Sequence, residues 1–179
     1  IDFGMASSVD KETLFQLLNE AAQDRMDEQV YARLLDDLEK ADKMVYITDN
    51  CGEIVCDKLV VEEMQKRFPG LDLTVLVRGE NTLNDATMED AVQVGLCEVA
   101  KVTGNGCGVA GTPLAYVDEQ TRRLLDEADV ILAKGQGNFE TMHGCGLNVY
   151  YSFLCKCDWF QQRFGMEKNK GMFVRERSQ

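Results

Sequence analysis

From residue 10 to residue 40 the chain contains neither Gly nor Pro, and Leu, Ala and Met recur at helical intervals. That spacing predicts helix across the stretch. Beyond it the pattern breaks into short, almost continuously apolar runs at Met44–Thr48, Leu73–Val77, Glu98–Val102, Val130–Ala133 and Val149–Leu154. Four are followed by polar or glycine-rich segments (DNCGE, RGENTLND, TGNGCGVAG and KGQGN). Helical patterns fill the intervals at Glu53–Arg67, Thr87–Val94, Asp118–Glu127 and from about Asn138 onward. Pro69-Gly70 marks a turn before the second run. Strands that alternate with helices of this length imply βαβ units and a parallel sheet covered on both faces. The basic tail from Lys168 to Arg177 reads as solvated.

In such sheets ligands bind beyond the carboxyl ends of the strands. The polar residues there are Asp49-Asn50-Cys51-Gly52-Glu53 after the first strand, Arg78-Gly79 and Asn84-Asp85 after the second, and Lys134-Gly135-Gln136-Gly137-Asn138 after the fourth. Asp49, Asn50 and Asp85 offer hard oxygen ligands of the kind that suit Mg²⁺ or Mn²⁺. Lys134 and Arg78 offer cations, and a helix start next to Lys134 suits a phosphate. Two carboxylates neutralise a divalent ion, whereas a third would repel a phosphate by roughly 4 kcal/mol per unit charge at about 4 Å. Each cluster also has a plainer reading. Asp-Asn before Gly is a turn and cap signature, Asn84-Asp85 can cap the helix from Thr87, and Lys134 can be a surface lysine.

Gly106 to Gly111 matches GxGxxG after a strand, but the next strand ends in Ala133-Lys134 and lacks the acid a dinucleotide site needs. A flexible loop or a backbone cradle fits that segment better. His143, the only histidine, follows the Lys134 loop closely enough to serve as an acid, although a structural role is the plainer reading.

Of 179 residues, 19 are Lys or Arg and 31 are Asp or Glu, for a net charge of -12. That balance excludes a phosphate-tracking nucleic-acid binder and an anionic membrane surface as partners. No apolar run reaches the length of a membrane span. Seven cysteines without a CxxC pair argue against a disulfide framework or a zinc finger. Free thiols point to a cytoplasmic protein. A first residue of Ile1 in place of Met reads as a fragment or a processed chain.

Three segments together (VYITDNCGEIVCDKLVVEEM, VRGENTLNDATMEDA and ILAKGQGNFET) resemble the stand-alone prokaryotic branch of the damage-control phosphatase superfamily, also known as domain of unknown function 89. The resemblance runs from the IDFG at the start to about residue 165. It implies a three-layer α/β/α Rossmann-like sandwich with a mostly parallel sheet and N-terminal helices. It also implies divalent-metal-dependent hydrolysis of phosphate monoesters of small metabolites, such as sugar phosphates or cofactor precursors, with Mg, Mn, Co or Ni. By motif match Asp49, Asn50 and Asp85 would hold the metal, Asp49 and Lys134 would be catalytic, and Lys134 would bind the phosphoryl group. Asn84, Asn138, Glu53 and Arg78 match positions that would bind substrate. Relatives carry a helical region ahead of IDFG. Residues 1–40 are therefore expected to be the remnant of a larger helical part, with the α/β domain at 41–179. Apolar surface left by absent helices would favour a homo-oligomer. Two rival readings are a non-catalytic metabolite-binding module and a methyltransferase whose GNGCGVAG loop holds S-adenosylmethionine.

Overall fold

A computed structural model describes residues 26–155 and 170–176, together with Glu12, Phe15, Asn19, Gln162 and Gly165. Helix α1 (Glu28–Leu38) falls inside the long helical pattern, most of whose earlier residues lie outside the described set. It starts at Asp27, whose carboxylate accepts from the amides of Gln29 and Val30. The strands are β1 (Lys43–Ile47), β2 (Asp72–Val77), β3 (Lys101–Gly104), β4 (Val130–Lys134), β5 (Val149–Leu154) and β6 (Gly171–Arg175). Between them lie α2 (Ile54–Arg67), α3 (Met88–Gln93), α4 (Glu119–Asp126) and α5 (Gln136–Met142).

The sheet order is β3-β2-β1-β4-β5-β6, parallel except for the last pair. Alternation along the strands separates two cores. Met44, Tyr46, Val75, Leu132 and Tyr150 face α1 and α2, where Leu34, Leu38, Ile54 and Val61 meet them. Val45, Ile47, Ile131, Ala133 and Tyr151 face α4 and α5, where Leu125, Phe139 and Met142 meet them. The result is the expected three-layer α/β/α sandwich. The chain winds outward from β1 through β2 to β3, then from β4 to β5 on the other side, so the topological switch lies between β1 and β4.

The structure corrects two sequence expectations. The third strand is shifted: Leu96–Glu98 form a 3₁₀ turn, and pairing begins at Lys101 opposite Thr74. Gly95, at φ 73, ends α3 and turns the chain before it can enter the sheet. The basic tail is not solvated throughout, because Gly171–Arg175 add an antiparallel edge strand to β5. Arg175 there bonds Asp37 of α1, and buried Glu176 accepts from Tyr151 and the Gly144 amide. The five residues Gly171-Met172-Phe173-Val174-Arg175 show no apolar–polar alternation, which hid the strand in the sequence.

Among the described residues no helix is long and apolar enough to cross a membrane. The six described cysteines are free thiols.

Candidate active site at the sheet switch point

Loops after β1, β2 and β4 meet above the carboxyl edge of the sheet. The first two are joined by backbone. The Cys51 amide donates to the Asn84 carbonyl at 2.8 Å, and the Ala86 amide donates to the Asp49 carbonyl at 2.8 Å. These bonds close an isolated antiparallel bridge between Asn50 and Asp85. Two of the three expected metal ligands therefore face each other across one ladder rung. Asn84 and Asp85 are not needed as helix caps, because Thr87 and Asp90 form a capping box that starts α3. Asn50 does hold its turn, since its Oδ1 accepts from the Glu53 amide at 3.2 Å. It is also tied outward, because its Nδ2 donates to Glu53 Oε1 at 2.8 Å. Only the amide nitrogen can face a carboxylate, so Glu53 fixes which way the Asn50 side chain is turned.

Glu53 then links to the third loop. Its Oε2 lies 2.6 Å from Lys134 Nζ. Lys134 ends β4 and is no surface lysine, with a side chain only 18% exposed. The same ammonium lies 2.7 Å from Asp57 Oδ1, which also accepts from the Tyr46 hydroxyl at 2.8 Å. Burial alone would lower the Lys134 pKa, but Asp57 and Glu53 outweigh burial and hold it above its ordinary value. Burial likewise opposes ionisation of Glu53, and the Lys134 charge outweighs it, so the carboxyl sits below its usual range. In Asp57 burial prevails over Lys134 and Tyr46, and the carboxyl is pushed up. Tyr46 is pushed up as well, by burial and the neighbouring Asp57 charge.

Asp49 lies against Gly135, the residue after Lys134. Gly135 has φ +89, and a Cβ there would run into the Asp49 carboxylate, so only glycine lets these two loops approach. Asp85 is anchored from below by Arg78, whose Nε donates to Oδ2 at 2.7 Å while Nη1 donates to the Gly111 carbonyl. Arg78 is 4% exposed, so the described contacts use it to hold the Asp85 loop. Asn138 is also buried. Its Nδ2 donates to the carbonyls of Thr48 and Lys134, and its Oδ1 accepts from Thr112 Oγ1 at 2.7 Å. It pins the ends of β1 and β4 together. Asn84 is exposed and enters the site through its backbone carbonyl.

The glycine-rich loop packs against the backbone at Gly79. Asn105 Oδ1 accepts from the amides of Gly79 and Cys107, and the next helix begins only at Glu119. His143 is the C-terminal cap residue of α5. It stacks on Phe139 and lies 3.4 Å from Glu176. A groove lined by Gln65, Asp72, Glu98 and Lys101 lies at the opposite, amino end of β2 and β3. Asp57 and Tyr46 were not singled out by sequence reasoning. The available signal was the i, i+4 spacing of Glu53 and Asp57, which puts two acids on one helix face.

Among the described residues no group of three or more His, Cys, Asp or Glu side chains is placed to hold a metal. The candidate set instead has two carboxylates and one amide. It fits a hard divalent cation on charge. The two carboxylates, Asp49 and Asp85, match the charge of a divalent ion, and Arg78 bonds Asp85. The donors are oxygens throughout.

The family model described as the damage-control phosphatase ARMT1-like domain matches residues 1–171. A damage-control phosphatase from Pyrococcus horikoshii is 30% identical over 158 residues, covering 88% of this chain and 54% of that protein. One from Archaeoglobus fulgidus is 37% identical over 118 residues, covering 65% and 40%. The crystal structure of a DUF89 family protein from Pyrococcus horikoshii superimposes with a TM-score of 0.85 at 27% identity, over 96% of this chain and 60% of that one. The chain spans about half the length of the curated relatives it matches. With the family model covering nearly every residue and the fold shared along almost the whole chain, this protein belongs to the damage-control phosphatase ARMT1-like domain family.

Proposed function

We propose that this protein is a divalent-metal-dependent phosphatase that hydrolyses phosphate monoesters of small metabolites, sugar phosphates or cofactor precursors among them. The observation that carries the reading is the chain of contacts Asn50–Glu53–Lys134, which binds the expected ligand loop to the expected phosphate-binding ammonium at the sheet's switch point. Asp49, Asn50 and Asp85 would hold the cation, one of Mg²⁺, Mn²⁺, Co²⁺ or Ni²⁺. When bound, it would supply positive charge to the phosphoryl oxygens and to the attacking oxygen. Phosphate monoesters hydrolyse so slowly unaided that charge placed in advance must supply most of the acceleration.

Lys134 donates to a phosphoryl oxygen and gains strength as charge builds there. Glu53 keeps the Asn50 amide and the Lys134 ammonium at a fixed separation. Arg78 keeps Asp85 from swinging away. The reaction adds a water oxygen to phosphorus, breaks the ester P–O bond and returns a proton to the leaving alcohol. Asp49 serves either to hold the cation or as the attacking nucleophile. The stereochemistry at phosphorus separates the two roles, because a covalent Asp49 route takes two displacements and retains configuration, whereas direct attack by water takes one and inverts it.

Turnover of p-nitrophenyl phosphate with each of the four cations, and with EDTA as control, tests the reading. Expected is cation-dependent hydrolysis that falls on the order of 100- to 1000-fold in Lys134→Ala and is abolished in Asp49→Ala and Asp85→Ala. Phosphate binding without turnover would replace it with the metabolite-binding module. Tight S-adenosylmethionine binding would replace it with the methyltransferase.

A further inference from the structure

One buried carboxylate has no explanation in packing. Helix α2 turns Ile54, Asp57 and Val61 into the core, on the stripe where an apolar residue belongs. Asp57 is 1% exposed. Its Oδ1 takes two donors, Tyr46 and Lys134, while its Oδ2 is buried with no hydrogen-bond partner. A fold selected for packing alone would not keep an acid there with one oxygen bare. Tyr46, itself buried in β1, donates to the same Asp57 oxygen that faces Lys134.

We propose that Asp57, oriented by Tyr46, is the positioning residue that aims the Lys134 ammonium at the phosphoryl group. An ammonium has three N–H bonds. Asp57 from beneath and Glu53 from the side occupy two, at 2.7 and 2.6 Å. The direction of the third is then fixed by geometry. A long, flexible lysine becomes a preorganised donor, protonated throughout the neutral range. Asp57 does not touch substrate; it acts through Lys134. The inference rests on the reading that Lys134 binds a phosphoryl oxygen, and its test separates the two.

The first arm uses acetic anhydride at pH 8, with acetylation of each lysine followed by mass spectrometry. Asp57→Asn removes the charge beneath Lys134 and is expected to raise acetylation of Lys134 by about tenfold, with the other lysines unchanged as internal standards. The second arm measures p-nitrophenyl phosphate kinetics with Mn²⁺. There kcat is expected to fall by about 10- to 100-fold in Asp57→Asn, with KM moving less than kcat. Tyr46→Phe keeps the charge and removes one donor. It is expected to fall between wild type and Asp57→Asn in both arms, and it carries the test should Asp57→Asn fail to fold. Lys134 acetylation that stays at the wild-type rate overturns the proposal, as does faster acetylation with kcat unchanged. Faster acetylation in a protein whose wild-type form hydrolyses no phosphate ester supports the hold on Lys134 and overturns the phosphatase reading instead.

Discussion

Single side chains at this site are held by opposite charges, and their titration follows. The folded Glu53 carboxyl lies below its ordinary value of 4.5, because the Lys134 charge overcomes the effect of burial. Its contribution to stability is therefore complete above that value and is lost as pH falls through the lowered folded value. Urea unfolding of wild type and Glu53→Gln should differ most above about pH 5 and converge in acid. A gap that persists unchanged into acid would remove Glu53 from the charge network. Asn50 tests the charge balance more sharply. Its Nδ2 donates to Glu53, so Asn50→Asp sets two carboxylates against each other. Calorimetric titration should show Mn²⁺ binding kept or strengthened and inorganic phosphate binding weakened. Unchanged phosphate affinity would contradict the account.

At the level of elements, the site is an effect of loops packed backbone to backbone. A Cβ on Gly79 would lie 2.6 Å from the Cys107 amide nitrogen, which is backbone and cannot rotate aside. Gly79→Ala should therefore lower stability by about 1–3 kcal/mol in urea unfolding and loosen the Arg78–Asp85 anchor beside it. Stability within experimental error of wild type would show that the glycine-rich loop moves freely. Strands β1, β2, β4 and β5, the helices between them and the three polar clusters were legible in the sequence, because apolar runs and turn residues are local signals, whereas β3 begins three residues later than its apolar run suggests. Asp49, Asn50, Asp85 and Lys134 could be picked out because each follows a strand. Asp57 was not, because an acid in a helix reads as solvent-facing until the ammonium of a strand 77 residues later is seen beside it. The structural work of Arg78 and Asn138 was hidden for the same reason, since their partners at Gly111 and Thr112 lie on another loop. The edge strand Gly171–Arg175 needed β5 as a template before its pattern meant anything.

Across the whole molecule, a net charge of -12 surrounds a site proposed to bind an anion. That field repels a phosphate dianion at long range, and salt screens it from a reach of about 30 Å at 0.01 M to about 8 Å at 0.15 M. The kcat/KM for a dianionic ester should accordingly rise with ionic strength over that range at saturating cation. A steep fall would mean that local positive charge governs encounter. The acids are concentrated where the three loops meet, and the proposed function places a cation among them. Anomalous scattering from crystals grown with Mn²⁺ tests this most directly. The account predicts one strong peak bounded by the side-chain oxygens of Asp49, Asn50 and Asp85, on the open side of Lys134. A peak confined to other surface acids, with those three side chains turned from one another, would contradict it.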